Sequence, residues 1–358
     1  MYKRQKEREE FTFSPVNFGV VLHAVIREVC DEIKKNGESY YLISEEKRRE
    51  MVKRSVAAIT DIYQNSILKD SSRNSFMIKR MEDLADRTVW AMGEQLKCGD
   101  FVPFVFEHKF NMEVGDGDRK QLMSGTIDRV DICENGTDVY VRIIDYKTGK
   151  KDFNIVKTYY GIDIQLMVYM EAAMKLVAKM RPGKNVIPAG VFYYNISDPI
   201  VSATTESAEE IEDKIKGELR LKGMVNSDKD IAEKMDNTEG TSLNIPVSRK
   251  ADGGFDSRRS KVMNTEQFNI LGRFVDVRAI DTADRIAGGD IRRSPYKDGQ
   301  FSSCDRCPYG AVCGFSVDLP GCNYRKLKKF DDEVLWNNIK EGVDENGKKM
   351  DTGAEERD

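Results

Sequence analysis

The stretch that decides the fold is GTIDRVDICENGTDVYVRIIDYKTG, residues 125–149. Both halves are rich in β-branched residues and are predicted to form strands, and ENGT at 134–137 supplies the turn of a hairpin. Side chains two positions apart in a strand point the same way, so Asp145 and Lys147 share one face. Asp128 lies on the partner strand, where the hairpin brings its carboxylate toward theirs.

This arrangement of charges predicts a metal site used in hydrolysis. Carboxylates on adjacent strands bind a hard divalent cation such as Mg²⁺, and without the cation they repel each other until one takes up a proton. A lysine beside them helps to activate a water molecule or stabilises negative charge on a phosphate. Metal-dependent cleavage of a phosphodiester bond needs this set of groups. Taken alone, Asp145 and Lys147 would also suit a surface ion pair, which contributes about 0–1 kcal/mol.

The composition is that of a soluble globular protein, with 40% hydrophobic and 33% charged residues among 358. A net charge of −4 gives no overall basic surface for nucleic acid, so any DNA contact has to be local. No apolar run is long enough to span a membrane, and the charged start MYKRQKEREEF is not a signal peptide. Seven cysteines, an odd number, and no secretion signal predict a cytoplasmic location with reduced thiols.

Further motifs lie on either side of the hairpin, and together with it they follow one order along the chain. They are G-x-x-x-H at Gly19–His23, G-x-x-D ending at Asp128, D-Y-K-T-G beginning at Asp145, and Q-x-x-x-Y at Gln165–Tyr169. Each alone would suit an ordinary helix face or surface carboxylate. In this order they resemble the RecB-like branch of the PD-(D/E)XK nucleases. The resemblance implies an α/β, restriction-endonuclease-like PD-(D/E)XK core, with a central mixed sheet flanked by helices and a C-terminal cysteine-cluster segment.

The resemblance also implies a role for each matching residue. The metal, Mg²⁺ or Mn²⁺, would be bound by the side chains of His23, Asp128 and Asp145 and by the backbone carbonyl of Tyr146. Lys147 would position or activate the attacking water. Gln165 and Tyr169 would orient the lysine and the DNA strand.

Two neighbouring residues in FVFEHKF, 104–110, are treated separately. Glu107 is either a further carboxylate ligand or a solvent-facing strand residue, and the sequence leaves both open. His108 points to the opposite face, and we assign it no role. Gly19, one turn before His23, would let another backbone or a metal approach the helix closely.

The cysteines in CDRCPYGAVCGF form a second motif, Cys304-x-x-Cys307-x₅-Cys313. A short loop can wrap such thiolates around one centre, and the spacing alone allows either zinc or an iron–sulfur cluster. With LPGCNYRKL after it, this segment resembles the C-terminal part of the AddB family, nuclease subunits of bacterial helicase–nucleases. That resemblance implies a 4Fe–4S cluster whose fourth cysteine lies upstream of the nuclease domain.

The fourth cluster ligand has no match in this chain. The family's upstream cysteine would lie ahead of residue 1, and Cys30 follows His23 and so does not match. Cys98, Cys133 and Cys322 have no counterpart in the motif. We therefore expect a C-terminal fragment, or a gene product split from its helicase-like part, that holds its cluster poorly.

The function predicted is that of a Mg²⁺-dependent DNA exonuclease domain of an AddB-like helicase–nuclease subunit, acting in double-strand-break resection and recombinational repair. Its substrate would be a single strand from a duplex end unwound elsewhere, and its partner an AddA-like helicase–nuclease subunit. The sequence contains no ATP-binding P-loop. The alternatives are a non-catalytic DNA-end-binding scaffold with a structural zinc site, or a standalone CRISPR-associated-type exonuclease, against which the long insert argues.

The chain is expected to divide into five segments. Residues 1–100 form an N-terminal helical part with the G-x-x-x-H helix, and 101–200 form the PD-(D/E)XK core. Residues 201–290 form a helical and loop insert that completes the domain, and 291–330 the cysteine-cluster segment. Residues 331–358 form a charged tail, expected to be disordered from about 341.

Overall fold

The computed structural model of the chain describes residues 15–62, 72–114, 121–202 and 207–355. It divides into two compact units. Unit 1 comprises residues up to Phe110, Gly125–Phe153 and Tyr169–Thr265, and unit 2 comprises Asn111–Ser124, Asn154–Val168 and the residues from Glu266 onward. The units are defined by contacts, whereas the five segments expected from the sequence follow motifs and composition, so the segment boundaries stay predictions.

The helices and strands alternate in the second and third quarters of the chain, after an all-helical start. The helices are α1 (Pro15–Lys35), α2 (Glu45–Ile62), α3 (Ser72–Lys97), α4 (Ile155–Tyr159), α5 (Gln165–Met180), α6 (Ala208–Glu218), α7 (Lys229–Met235), α8 (Thr265–Ala287), α9 (Gly310–Cys313) and α10 (Asp332–Glu355). The strands are β1 (Val102–Val114), β2 (Gln121–Asn135), β3 (Asp138–Lys147), β4 (Asn185–Asn195), β5 (Lys222–Asn226), β6 (Val262–Met263), β7 (Tyr296–Asp298), β8 (Phe301–Ser302) and β9 (Arg325–Lys326). None of the described helices is long and apolar enough to cross a lipid bilayer.

The first six strands form one mixed sheet in the order β1-β2-β3-β4-β5-β6. β2 and β3 pair antiparallel as the predicted hairpin, β3 and β4 pair parallel, β4 and β5 antiparallel, and β5 and β6 parallel. Arg129 lies opposite Ile144, so one position further in the same register sets Asp128 opposite Asp145. The predicted fold class, a mixed central sheet flanked by helices, is confirmed.

The helices α1, α2 and α3 cover the core of unit 1 because each carries one apolar face. On α1 this face is fully buried at Leu22, Val25 and Val29, which recur at helical spacing. The same core takes in Phe192 and Tyr194 of β4. His23 follows Leu22 directly, so it lies at the edge of the buried face, where its side chain is 22% exposed.

In unit 2 the end of the chain is more ordered than the sequence suggested. The expectation of disorder from about residue 341 is wrong for most of that segment, because α10 runs from Asp332 to Glu355. Leu335 and Ile339, one helical turn apart, are buried, and a Cβ added at Gly342 would meet the ring of Phe274 at 2.8 Å. An apolar face at its start therefore anchors a helix whose composition is otherwise charged.

A buried ion triad ties β2 to β3 on the face opposite Asp128 and Asp145. The carboxylate of Asp131 accepts two hydrogen bonds from Arg129, at 2.7 and 2.6 Å, and one from Arg142 at 2.9 Å. All three side chains are at most 1% exposed. Burial opposes ionisation, but the charges of the two arginines hold the pKa of Asp131 below its usual range. Two cations and one anion therefore share a dry space beneath the hairpin.

Replacing Asp131 with asparagine should destabilise unit 1 strongly. The variant leaves two guanidinium groups buried without their counterion, and breaking a buried ion pair in this way costs about 3–5 kcal/mol. Urea denaturation followed by circular dichroism measures the loss. E134Q is the matched control, because Glu134 lies on the same strand and pairs with Arg181 at the surface; it should change little. A D131N variant with the wild-type midpoint would contradict the role assigned to the triad.

Candidate active site

Three elements of unit 1 bring a histidine and two carboxylates together. Nδ1 of His23, on α1, lies 3.5 Å from Oε1 of Glu107 on β1 and 3.5 Å from Oδ1 of Asp128 on β2. One ligand atom from each residue lies within 4.8 Å of the others, and no other group of histidine, cysteine or acidic side chains in the described chain meets this test. The structure therefore settles the position of Glu107, which the sequence left open: it faces the site.

Asp145 and Lys147 lie beside this group at the end of β3. Nζ of Lys147 lies 2.5 Å from Oδ2 of Asp145, as expected for two residues on one strand face. The backbone N–H of Tyr146 donates a hydrogen bond of 2.6 Å to Oδ2 of Asp128, which fixes that carboxylate against β3. Asp128 and Asp145 are 7% and 2% exposed. Of the predicted ligands, His23 and Asp128 thus lie in the group, and Asp145 adjoins it through its pairing with Lys147.

Glu107 reaches the site through an unusual backbone conformation. Its φ of +47° makes it the one non-glycine residue in the described chain with a positive φ. This region is sparsely populated by residues that carry a Cβ, and occupying it costs about 1–3 kcal/mol. The conformation breaks the simple alternation of β1 and turns the carboxylate toward His23. Nothing in FVFEHKF signals it, which is why alternation alone could not decide between the site and solvent.

The charges in the site are strongly coupled. Burial opposes protonation of His23, but the neighbouring carboxylates of Asp128 and Glu107 outweigh it and raise the pKa of His23 to about 10. Burial and the charge of Asp128 raise the pKa of Asp145 to about 6, although Lys147 and His23 act in the other direction. Crowded carboxylates are thus held by protons and ammonium groups when no metal is bound.

These residues fit a divalent cation. Glu107, Asp128 and Asp145 offer carboxylate oxygens, the donors that Mg²⁺ and Mn²⁺ prefer, and His23 offers one imidazole nitrogen. The carboxylates are buried enough that a cation bound there would be partly shielded from water, and their mutual repulsion favours its binding. The carbonyl of Tyr146, the remaining predicted ligand, stays a prediction.

Aromatic rings hold the charged side chains in place. The ring of Tyr146 meets that of His23 edge-on at 5.8 Å. The ring of Tyr193, on β4 and opposite Asp145 in the register, lies 5.6 Å from Nζ of Lys147 and 4.9 Å from Nζ of Lys151. A cation over an aromatic face is attracted to it, so Tyr193 helps to orient the lysine. The sequence analysis did not single out Tyr193, whose only signal was its place in an apolar strand.

The glycine of G-x-x-D is required by packing. A Cβ on Gly125 would lie 2.9 Å from the ring of Phe110 and 3.3 Å from that of Tyr169, and these two rings meet edge-on at 5.7 Å. Tyr169 is therefore fixed against β1 and β2. Gln165 is the first residue of α5 and belongs to unit 2. The predicted role of both residues in orienting Lys147 and DNA stays a prediction.

The cysteine motif lies in unit 2. All seven cysteines are free thiols; Cys304 and Cys313 are partly buried and Cys307 is exposed. A single zinc with Zn–S bonds of about 2.3 Å holds its thiolates roughly 3.8 Å apart, and no described group of ligands at such spacing includes a cysteine. Cys30 lies in the core of unit 1, where burial raises the pKa of its thiol, as befits a packing residue.

Comparison with known proteins agrees with this geometry. A family model described as the PD-(D/E)XK nuclease superfamily matches residues 1–314. The chain is similar to proteins named as subunits of an ATP-dependent helicase/deoxyribonuclease. It is 33% identical over 359 residues to that of Thermoanaerobacter sp. (strain X514), covering 97% of this chain and 31% of the relative. It is 34% identical over 366 residues to that of Caldanaerobacter subterraneus subsp. tengcongensis, covering 99% and 31%. The chain thus spans about a third of the length of these curated relatives.

Replacing His23 with glutamine should remove a pH-dependent part of the stability of the metal-free protein. The folded-state pKa of about 10 lies above the ordinary histidine value of about 6.5. The stabilisation by protonated His23 is therefore complete below about pH 6.5 and is lost as the pH rises toward 10. The Tm of wild type minus that of H23Q, measured in EDTA, should be largest near pH 6 and shrink steadily above it.

The matched control is H108Q, which removes the other histidine of the chain and should keep the wild-type decline. Parallel curves for wild type and H23Q across this pH range would show that His23 does not bridge the two carboxylates.

Proposed function

The chain belongs to the PD-(D/E)XK nuclease superfamily, and from this premise we propose that it is a metal-dependent deoxyribonuclease that hydrolyses phosphodiester bonds in DNA. One observation carries the proposal: a histidine and two carboxylates from separate elements meet within 4.8 Å, next to a carboxylate–lysine pair. Structural proteins rarely gather buried like charges at one point, because each costs free energy unless a ligand or a reaction uses it.

The residues divide between binding a metal and handling the water. His23, Glu107, Asp128 and Asp145 would hold Mg²⁺ or Mn²⁺, with the carbonyl of Tyr146 as a further ligand. When bound, the metal supplies positive charge against the scissile phosphate and makes water easier to deprotonate. Asp128 is held for this task by the N–H of Tyr146, and Asp145 by Lys147.

Lys147 is placed to act on the water that attacks phosphorus. Its side chain is 27% exposed while its partner Asp145 is almost fully buried, so the ammonium group lies at the boundary between the carboxylates and solvent. From there Nζ donates a hydrogen bond to the water or to a phosphate oxygen as negative charge develops. The water oxygen forms a bond to phosphorus, the bond to one bridging oxygen breaks, and the leaving oxygen takes up a proton from solvent.

The wider role follows the names of the relatives. We infer that the chain supplies an AddB-like nuclease to a helicase–nuclease that resects double-strand breaks for recombinational repair. A single strand from an unwound duplex end would be its substrate, and an AddA-like subunit its partner. The printed names of the similar proteins, which pair a helicase with a deoxyribonuclease, support this. A cytoplasmic location, where seven free thiols stay reduced, belongs to the same proposal.

The cysteine loop is proposed to bind a 4Fe–4S cluster through Cys304, Cys307 and Cys313. The N–H of Cys307 donates to the carbonyl of Cys304 at 3.2 Å, so a turn brings these two residues close along the chain. In a cubane cluster each thiolate binds its own iron, so the sulfurs stand farther apart than around a single zinc. The spacing of the described cysteines therefore favours a cluster over a single-ion site, and the fourth ligand has no match in the motif.

Replacing Asp145 or Lys147 with alanine should abolish Mg²⁺-dependent degradation of linear DNA. K147A should lower the rate by more than tenfold, a loss above ~1.4 kcal/mol of transition-state stabilisation, while binding of DNA survives, because phosphate contacts come from other basic residues. K151A is the matched control, because Lys151 faces the same Tyr193 ring; its rate should stay within about threefold of wild type, under ~0.7 kcal/mol. Acid-soluble nucleotide release measures the rates.

If K147A keeps more than about a tenth of the wild-type rate, Lys147 is not the catalytic lysine. Wild-type protein that binds DNA ends but does not degrade DNA with Mg²⁺ or Mn²⁺ would instead establish the scaffold alternative.

Anaerobically purified protein should show a broad visible absorption band and contain iron and sulfide below one cluster per chain, because the motif supplies three thiolates. C307S should remove both, whereas C98S, which replaces a partly buried cysteine outside the motif, should not. Colourless protein that contains stoichiometric zinc would show that the cluster assignment is wrong.

A further inference from the structure

A groove in unit 1, with a volume of about 820 Å³, runs beside the candidate active site. Its apolar side chains include Phe18 of α1, Leu84 of α3 and Ile196 after β4, all of them buried. Its other wall is the first half of α3, which presents Arg73, Phe76 and Arg80 at helical spacing to solvent. The groove is therefore apolar at its base and basic along one rim.

The groove is continuous with the proposed catalytic residues. Thr148, which directly follows Lys147, is one of its lining residues. The side chain of Thr148 also lies closest to Gly19, where an added Cβ would be 3.8 Å from it. A chain lying in the groove would thus pass from α3 over Gly19 and Thr148 to Lys147.

The lining residues suit an unpaired nucleic-acid strand. Phe76 is 63% exposed, which is unusual for a large apolar side chain near charged ones and leaves a ring on which a base can stack. Arg73 and Arg80 each lie about one helical turn from Phe76, on either side of it, within reach of successive phosphates. Aromatic rings between basic side chains are the pattern of single-strand binding, because every base has an apolar face once it is unpaired.

The acidic residues of the groove do not cancel this charge. Asp83 pairs with Lys79 at 3.0 Å, and Asp198 pairs with Arg87 at 3.2 Å. Their charges are therefore balanced within the protein, and the two arginines give the rim a local positive charge on a chain whose net charge is −4. The complementarity is to an anion, and a polyanion with apolar faces is a strand of DNA.

We propose that this groove binds the single-stranded segment of the substrate next to the scissile phosphate, and that Gly19 is the point where the DNA backbone crosses α1. Phe76 stacks on a base, and Arg73 and Arg80 contact phosphates. The inference deepens the proposed function and rests on it, since it assigns a path to the strand that Lys147 and its neighbours would cut.

Gly19 supplies an independent argument. A glycine inside a helix costs about 1 kcal/mol relative to alanine, yet packing within the protein does not demand one here, because an added Cβ would only make ordinary contact with Thr148. At Gly125, by contrast, the rings of Phe110 and Tyr169 leave no room. The missing side chain at position 19 is explained if a ligand backbone approaches α1 closely.

Binding of a fluorescently labelled single-stranded oligonucleotide, measured by anisotropy in EDTA, tests the groove. F76A and the double variant R73E/R80E should each weaken binding by about tenfold or more, as expected for a base stack of ~1–3 kcal/mol. The double variant should also reduce the slope of log K against log salt by about 1.4 for two phosphates. L42A, an apolar residue 77% exposed, and the charge-matched double variant K35E/K53E lie outside the groove and should bind like wild type.

G19A separates ligand binding from folding. Its Tm should equal or exceed that of wild type, because alanine favours the helix, while its KM for single-stranded DNA rises by about tenfold and its affinity in EDTA falls. A lower Tm with unchanged affinity would overturn the assignment of Gly19.

The outcomes for the groove and for the proposed function are distinct. If K147A abolishes degradation but F76A and R73E/R80E bind and cut like wild type, the nuclease stands and the groove is wrong. If wild type degrades no DNA but the groove variants still weaken binding, the groove is right and the proposed function is wrong. If F76A changes only the oligomeric state in sedimentation, the groove is a protein interface and the proposal fails.

Discussion

The antiparallel pairing of β2 with β3 is the constraint on which the rest of the structure depends. Strand alternation sends Asp128, Asp145 and Lys147 to one face of this pair. It sends Asp131 to the other, where Arg129 and Arg142 bind it. The hairpin is therefore charged on both faces, and each face is neutralised differently: the buried one permanently by two guanidinium groups, the candidate site by groups that a metal can replace. A slip of one residue would exchange the two faces and destroy both.

In the metal-free site the protein supplies its own cations. His23 with a pKa of about 10 is protonated between Glu107 and Asp128, and Lys147 lies against Asp145. A divalent ion that enters must displace the proton of His23, because only neutral imidazole binds metal. Metal binding by this arrangement releases protons. The same carboxylates that attract a metal thus hold the empty site together, which explains how the hairpin tolerates such a concentration of buried charge.

The sequence predicted the sheet, the hairpin register and the neighbours His23, Asp128, Asp145 and Lys147, because motif order and strand period carry that information. It left Glu107 undecided, since a positive φ at a glutamate leaves no mark in composition. Tyr193 was missed because its contact with Lys147 comes from the pairing of β3 with β4, which no local pattern encodes. The order of α10 was missed because a few buried apolar residues outweigh a charged composition. Whether Gln165 and the cysteines act as the motifs imply is not decided by the fold.

The parallel pairing of β3 with β4 has a consequence for the order in which the site is built. An antiparallel hairpin such as β2–β3 closes through a short turn, whereas a parallel neighbour needs a crossover, here through the segment that holds α4 and α5. Long-range pairing of this kind is slow, because the entropy of closing the chain is lost before the contacts form. The carboxylates of the hairpin therefore come together early in folding, and Tyr193 reaches Lys147 late. A nascent chain can carry the metal-binding part of the site before the lysine is oriented, so full competence waits for β4 to leave the ribosome and dock.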